Sequence, residues 1–244
     1  YNTPGNPTSL VFIDPTVTNY QDLIQGMTAN AEFIILDGQR DGIEQITAAL
    51  ASMENLEAVH IISHGSEGQL NIGNATFSSD TIEQYTHLLN QWDNSLRPDA
   101  DILLYGCNVA STDSGIDFVN TLAEITKADV AASDDLTGNA EKGGDWDLEV
   151  HRGDIENNIP FAKTVLDRFD GVLAVPAITN GGAAVPAETY VEGSASGVAI
   201  DAGGDLSIAD ADGTISSATI KITNNVFGED ELGFNYDASG AVTG

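Results

Sequence analysis

Two stretches decide the fold: Ala58-Val59-His60-Ile61-Ile62-Ser63-His64-Gly65 and Asp101-Ile102-Leu103-Leu104-Tyr105-Gly106-Cys107-Asn108. Each is a short apolar run rich in branched residues and closed by small or polar ones. Such a run predicts a strand buried on both faces, the kind found in parallel sheets. Each also delivers chemistry at its end. The first runs into an imidazole followed by glycine, and the second into glycine followed by a thiol.

The same rhythm extends outward from these runs. Leu10 to Ile13 predicts a strand closed by Asp14-Pro15, and Tyr20, Leu23, Ile24 and Met27 fall at helical spacing. Phe33 to Leu36 predicts a second strand, and Ile43, Ile46, Leu50 and Met53 a second helix. After Gly65 comes a small hairpin (Leu70–Ile72 with Ala75–Phe77), then a third helix through Ile82, Tyr85, Leu88, Leu89 and Trp92, capped by Ser79 or Asp80. Ile116 to Ile125 predicts a fourth helix, Val130 to Ala132 a fifth strand and Trp146 to Val150 a sixth. Strands alternating with amphipathic helices imply βαβ units and a mostly parallel sheet flanked by helices. Right-handed crossovers then bring every strand's C-terminal end to one edge, where functional groups of open α/β sheets gather.

The rhythm predicts an α/β domain over residues 9–158. Residues 159–175 are expected to be a connector. From 176 to 244 Gly and Ala become frequent, and Val198–Ile200, Leu206–Ile208 and the strictly alternating Ala218–Thr223 predict strands. This tail is expected to be a partial β-sandwich, with the chain ending inside a domain.

Composition narrows the function. The 244 residues hold 8 basic and 38 acidic side chains, a net charge of −30. A surface of that sign repels nucleic acid and anionic lipid, and suits a solvated extracellular protein or one that binds divalent cations through carboxylates. No run is long and apolar enough to span a membrane. The opening Tyr1-Asn2-Thr3-Pro4-Gly5 lacks the basic and apolar regions of a signal peptide, and without an initiator Met the chain is expected to be a mature or cut fragment. The single cysteine, Cys107, rules out an intrachain disulfide. No phosphate loop, dinucleotide-binding glycine pattern, zinc spacing or serine elbow occurs.

His64 and Cys107 therefore carry the candidate chemistry. On neighbouring strands they would stand side by side at the functional edge. An imidazole beside a thiol can take its proton and leave a thiolate nucleophile. Gly65 allows a carbonyl to approach, and its backbone N–H together with that of Cys107 can form an oxyanion hole. The competing reading makes Cys107 a buried small hydrophobe and His64-Gly65 a loop. His60, inside its strand, reads as a core histidine.

Apolar strand–His64-Gly65 followed by apolar strand–Gly106-Cys107 resembles the pattern of caspase-like cysteine peptidases, which include caspases, gingipains, separase and the autoprocessing domains of large bacterial toxins. The stretches AVHIISHGSEGQLNIG, DADILLYGCNVA and DVAASDDLTGNAEKGGDWDLEV resemble, more specifically, a domain of uncharacterised function near the N-terminus of giant bacterial surface adhesins. The tail LSIADADGTISSATIKITNNVFGEDELGF resembles the opening of the cadherin-like repeats of such adhesins. The resemblance implies a caspase-like fold, His64 as general base, Cys107 as nucleophile and Gly65 as the oxyanion glycine. It implies Asp134 and Asp135 as acids of a pocket for a basic residue, against the plainer reading of turn-capping acids. No third triad member is expected. Lys163 and Arg168, the basic residues of the connector, make Leu166–Gly171 a candidate self-cleavage segment.

Asp205, Asp210 and Asp212 are spaced through loops of the tail and suit Ca²⁺, with solvated turn acids as the alternative. The expected setting is the bacterial cell surface or exterior. The expected partners are the chain itself or other copies, joined by strand exchange, and cell-surface or matrix targets. Neither nucleic acid nor membrane insertion is expected. Two functions stand at this point: a cysteine endopeptidase acting on its own chain, and a catalytically silent structural or adhesive module.

Overall fold

The computed structural model of the chain describes residues 7–174, 177–180, 206–209, 235–236 and 242–243. In chain order the first compact unit contains β1 (Ser9–Ile13), α1 (Tyr20–Gln25), β2 (Ala31–Ile35), α2 (Gly42–Leu50), β3 (Leu56–Ile62), β4 (Gly65–Ser66), β5 (Gln69–Ile72) and β6 (Ala75–Ser78). It continues with α3 (Thr86–Leu89), β7 (Leu96–Tyr105), α4 (Asp113–Thr126), β8 (Asp129–Ala132), β9 (Val150–Arg152) and α5 (Lys163–Leu166).

Six strands form one sheet in the order β2-β1-β3-β7-β8-β9. Every pairing is parallel except β8 with β9, which is antiparallel. The register places Ile13 beside Ile62 and Ile62 beside Tyr105, so the exits of β1, β3 and β7 lie in one row. β4, β5 and β6 form a separate three-stranded antiparallel sheet directly after the β3 exit.

The strands are apolar because both faces are covered. One face packs Leu10, Phe12, Val59, Ile61, Ile102 and Leu104 against apolar residues of α2, α4 and the hairpin, such as Ile46, Phe118 and Phe77. The other face packs Val11, Ile13, Ile62, Leu103 and Tyr105 with Leu23 of α1 and with Phe161, Phe169, Val172 and Leu173 from the end of the unit. Asp41 caps α2 by accepting from the N–H groups of Ile43 and Glu44, and Thr112 caps α4 by accepting from that of Gly115.

Three expectations are corrected. The third helix is not continuous: a 3-10 turn over Ile82–Tyr85, the short α3 and a 3-10 turn over Trp92–Asn94 replace it. Tertiary contacts override the helical spacing here. The Tyr85 hydroxyl donates to Asp41 (2.7 Å), and the Trp92 indole N–H, fully buried, donates to the Thr47 hydroxyl (2.8 Å). Residues 159–174, expected as a connector, pack into the first unit as a strap, because Phe161, Phe169, Val172 and Leu173 are buried in its core. The sixth strand lies slightly later than expected, at β9.

In the second unit, β10 (Ala177–Asn180) pairs antiparallel with β11 (Leu206–Ala209), and β12 (Asn235–Tyr236) with β13 (Val242–Thr243). The strands expected at 198–200 and 218–223 lie outside the described residues, as do Asp205, Asp210 and Asp212. Among the described residues no helix is long and apolar enough to cross a membrane.

Candidate active site

Four adjacent strand exits build the site. β3 leads through Ser63 into His64 and Gly65, and β7 leads through Gly106 into Cys107. The Ser63 N–H donates to the Tyr105 carbonyl (3.0 Å), which carries the β3–β7 pairing to the point of exit. Beyond it, His64 and Cys107 take corresponding places on the two neighbouring chains.

Glycine is required at Gly65. A Cβ there would stand 2.7 Å from the Gly106 carbonyl carbon and 2.8 Å from the Cys107 carbonyl oxygen, so only a bare backbone can approach the Cys107 segment this closely. A Cβ at Gly106 would stand 2.5 Å from the Leu70 side chain. Asn108, next in the chain, adopts a left-handed conformation (φ 58°), which asparagine tolerates better than most residues.

His64 is nearly buried, and its Nε2 lies 3.1 Å from the Thr16 carbonyl oxygen at the β1 exit. A carbonyl only accepts, so Nε2 carries the proton in this contact. Nδ1 of the neutral ring is then the free base, and it is buried without a hydrogen-bond partner. Thr16 is itself fixed by Asp14, whose carboxylate accepts from its N–H (2.9 Å) and its hydroxyl. The other oxygen of Asp14 accepts from the Gly73 N–H at 2.6 Å. The backbone of Thr16 thus orients the imidazole, a role expected of no residue because a carbonyl leaves no mark in side-chain identity. The turn Asp14-Pro15-Thr16, placed at a strand exit of the functional edge, was the available signal.

Cys107 is fully buried. Its sulfur accepts from the Thr137 N–H at 3.3 Å and lies 3.6 Å from the Thr137 carbonyl oxygen. The N–H contact suits a thiolate, whereas donation by the thiol to the carbonyl suits the neutral form. Thr137 belongs to the loop that follows β8, the fourth exit.

The two backbone donors expected to form an oxyanion hole converge on one atom. The Gly65 N–H (2.8 Å) and the Cys107 N–H (3.0 Å) both donate to the carbonyl oxygen of Leu173. The Leu173 N–H in turn donates to the Thr137 carbonyl (2.8 Å), and the Asn139 N–H donates to the Gly171 carbonyl (2.8 Å). Gly138 bridges Val172 antiparallel, and Gly65 bridges Ala174 in parallel. Leu173 is fully buried.

Asp134 and Asp135 stand at the β8 exit with their side chains exposed. The Asp134 N–H donates to Glu149 (3.0 Å), and the Asp135 carbonyl accepts from the Asn108 N–H (2.6 Å). Their carboxylates and that of Glu149 come within 4.8 Å of one another. Loss of solvent, then the nearby Asp145, pushes the Asp135 carboxyl above its usual range, and loss of solvent raises Glu149. A second carboxylate group, Asp101, Asp129 and Glu156, lies at the opposite edge of the sheet. His60 is buried with neither ring nitrogen partnered, so it is neutral, and burial lowers it to about 3.

The α/β unit spans most of the chain, and one family model covers it: residues 10–173 match a domain of unknown function, DUF4347. The chain belongs to the DUF4347 family. The match runs through the strap as far as Leu173, so the DUF4347 domain contains all four strand exits and the segment laid across them. No curated protein and no solved structure matches the chain.

Proposed function

We propose that this DUF4347 domain is a caspase-like cysteine endopeptidase that acts on its own chain, within a secreted or surface-attached bacterial adhesin. One observation carries the catalytic reading: the N–H after His64 and the N–H of Cys107 aim at a single carbonyl oxygen, beside the only thiol of the chain. Paired backbone donors of this kind stabilise the oxyanion of acyl transfer, because they are in place before charge develops. His64 Nδ1 is the base, the Thr16 carbonyl holds the ring, and the Thr137 N–H supports the thiolate. The adhesin setting rests on the resemblance of both segments and on the acidic surface of net charge −30.

The test is intact-mass analysis of the full chain during incubation, with and without Ca²⁺, for wild type, Cys107→Ala and His64→Ala. The expected result is fragmentation of wild type, none of Cys107→Ala, and a rate for His64→Ala lowered by roughly 100-fold or more, the usual scale of a general base. Fragmentation that persists in Cys107→Ala would remove the peptidase reading. The full burial of Cys107 favours a second reading, a silent module in which the same contacts only fasten the strap. That reading requires an uncut wild type whose Cys107 is also inert to a peptidyl acyloxymethyl ketone.

A further inference from the structure

We infer that the bond this site cuts is the chain's own Leu173–Ala174 peptide bond, which the fold holds in the place of a substrate. The inference rests on the peptidase reading above and names its substrate: an extended segment of the same chain with a buried apolar residue before the cut.

Backbone contacts frame the segment on both sides. Residues 171–173 run antiparallel to 137–139, with the Asn139 N–H on the Gly171 carbonyl and the Leu173 N–H on the Thr137 carbonyl. This is how an extended peptide adds a strand to an exposed edge. The carbonyl of Leu173 then falls on the two N–H groups that flank the catalytic pair, one following the histidine and the other belonging to the cysteine. Thr137 serves both reactants: its N–H donates to the Cys107 sulfur and its carbonyl accepts from Leu173. The Leu173 carbonyl thereby stands where an acyl oxyanion would form, while also pairing two backbone N–H groups that burial requires to be satisfied.

The basic candidate, Arg168, is not presented in this way. It is exposed and follows the turn of α5, where the Phe169 N–H donates to the Val165 carbonyl (3.0 Å) and the Phe169 side chain is fully buried. Its backbone is coiled, not extended, and the apolar Leu173 occupies the cleft instead.

The reaction balances within the chain plus one water. His64 Nδ1 takes the thiol proton, and the thiolate adds to the Leu173 carbonyl carbon, its oxygen becoming the oxyanion held by the Gly65 and Cys107 N–H groups. The C–N bond breaks, and the Ala174 nitrogen leaves with the proton from His64. Water, deprotonated by His64, then splits the Leu173–Cys107 thioester. The products are the Leu173 carboxyl group, the restored thiol and a new N-terminus at Ala174.

The experiment follows the masses of fragments from the full chain for wild type, Cys107→Ala, Ala174→Pro and Arg168→Gln, with thermal melting to verify folding. Ala174→Pro keeps Leu173 and its carbonyl but replaces the leaving amine with a ring nitrogen. Wild type is expected to give Tyr1–Leu173 and Ala174–Gly244, Arg168→Gln to give the same pair at an unchanged rate, and Ala174→Pro to be slowed roughly 100-fold or more by the misplaced leaving group. Cys107-dependent fragments with any other ends would overturn the Leu173–Ala174 assignment and leave the peptidase reading standing. An uncut wild type whose Cys107 is labelled by acetyl-Gly-Val-Leu acyloxymethyl ketone would do the same. An uncut chain that is also unlabelled would overturn both.

Discussion

The two edges of the parallel sheet hold the strap and the residues leading into it by opposite chemistry. At the N-terminal edge of β7, the buried Asp101 carboxylate accepts from the N–H groups of Glu156 (3.0 Å) and Asn157 (2.8 Å) and from the Asn157 side-chain amide (2.9 Å). At the C-terminal edge, the strap offers a carbonyl and the sheet's own backbone donates. The first edge fixes residues 156 and 157, just before the strap, with a side chain, which substitution can remove cleanly. The second fixes the strap with N–H groups that no substitution deletes except proline, so its chemistry depends on how closely the backbones approach. The side-chain anchor belongs to structure, whereas the converging backbone donors beside a thiol are the feature on which the proposed reactivity rests.

The strongest way to break this contrast is Gly65→Ala. The added Cβ, 2.7 Å from the Gly106 carbonyl carbon, must push the two donors apart. Self-cleavage should fall by roughly 100- to 1,000-fold, the scale for losing one oxyanion donor, as read by fragment masses over time. Asp101→Ala should act on stability instead. Losing a buried acceptor of three hydrogen bonds costs about 3 kcal/mol, measured by urea unfolding, with faster amide exchange over residues 154–158.

His60 lies on β3 between the edges and sharpens the contrast by belonging to neither. Its folded value of about 3 lies below the ordinary 6.5, so the unfolded chain binds more protons between those values. Its contribution is fully present above pH 6.5 and is lost as pH falls toward 3, at about 1.4 kcal/mol per pH unit. From pH 6.5 to 5 that is about 2 kcal/mol, and His60→Leu should flatten this limb in paired urea titrations at the two pH values. The smallest effect belongs to the exposed Lys163–Asp167 pair (2.6 Å): Lys163→Ala should change stability by no more than about 0.5 kcal/mol and leave cleavage unaltered.

The sheet was legible because period and residue type are side-chain properties. The apolar runs of β1, β3, β7 and β8 each became a parallel strand, and the adjacency of β3 and β7 placed His64-Gly65 against Gly106-Cys107. What was not legible is carried by backbone groups. The Thr16 carbonyl and the Leu173 carbonyl have no residue code, and only the folded register assigns them partners. The strap was not legible because helical spacing of Phe161, Val165, Leu166 and Phe169 does not say which core the segment packs into. The closing run Val172-Leu173-Ala174-Val175 was the unused signal, since a linker has no use for a run of that density. The broken helix at 82–94 shows the reverse case, where good spacing yields to the hydrogen bonds of Tyr85 and Trp92.

The site takes parts from the exits of β1, β3, β7 and β8 and from a strap that follows them all in the chain. Base, thiol, donors and target bond come into register only when the sheet is complete. In the proposed reading, assembly and readiness to react are a single event: a half-made or misfolded copy would have neither catalyst nor presented bond. Processing would serve as quality control, marking only those molecules whose core has closed. If each molecule cuts only itself, as proposed, the mark would appear at a rate indifferent to dilution.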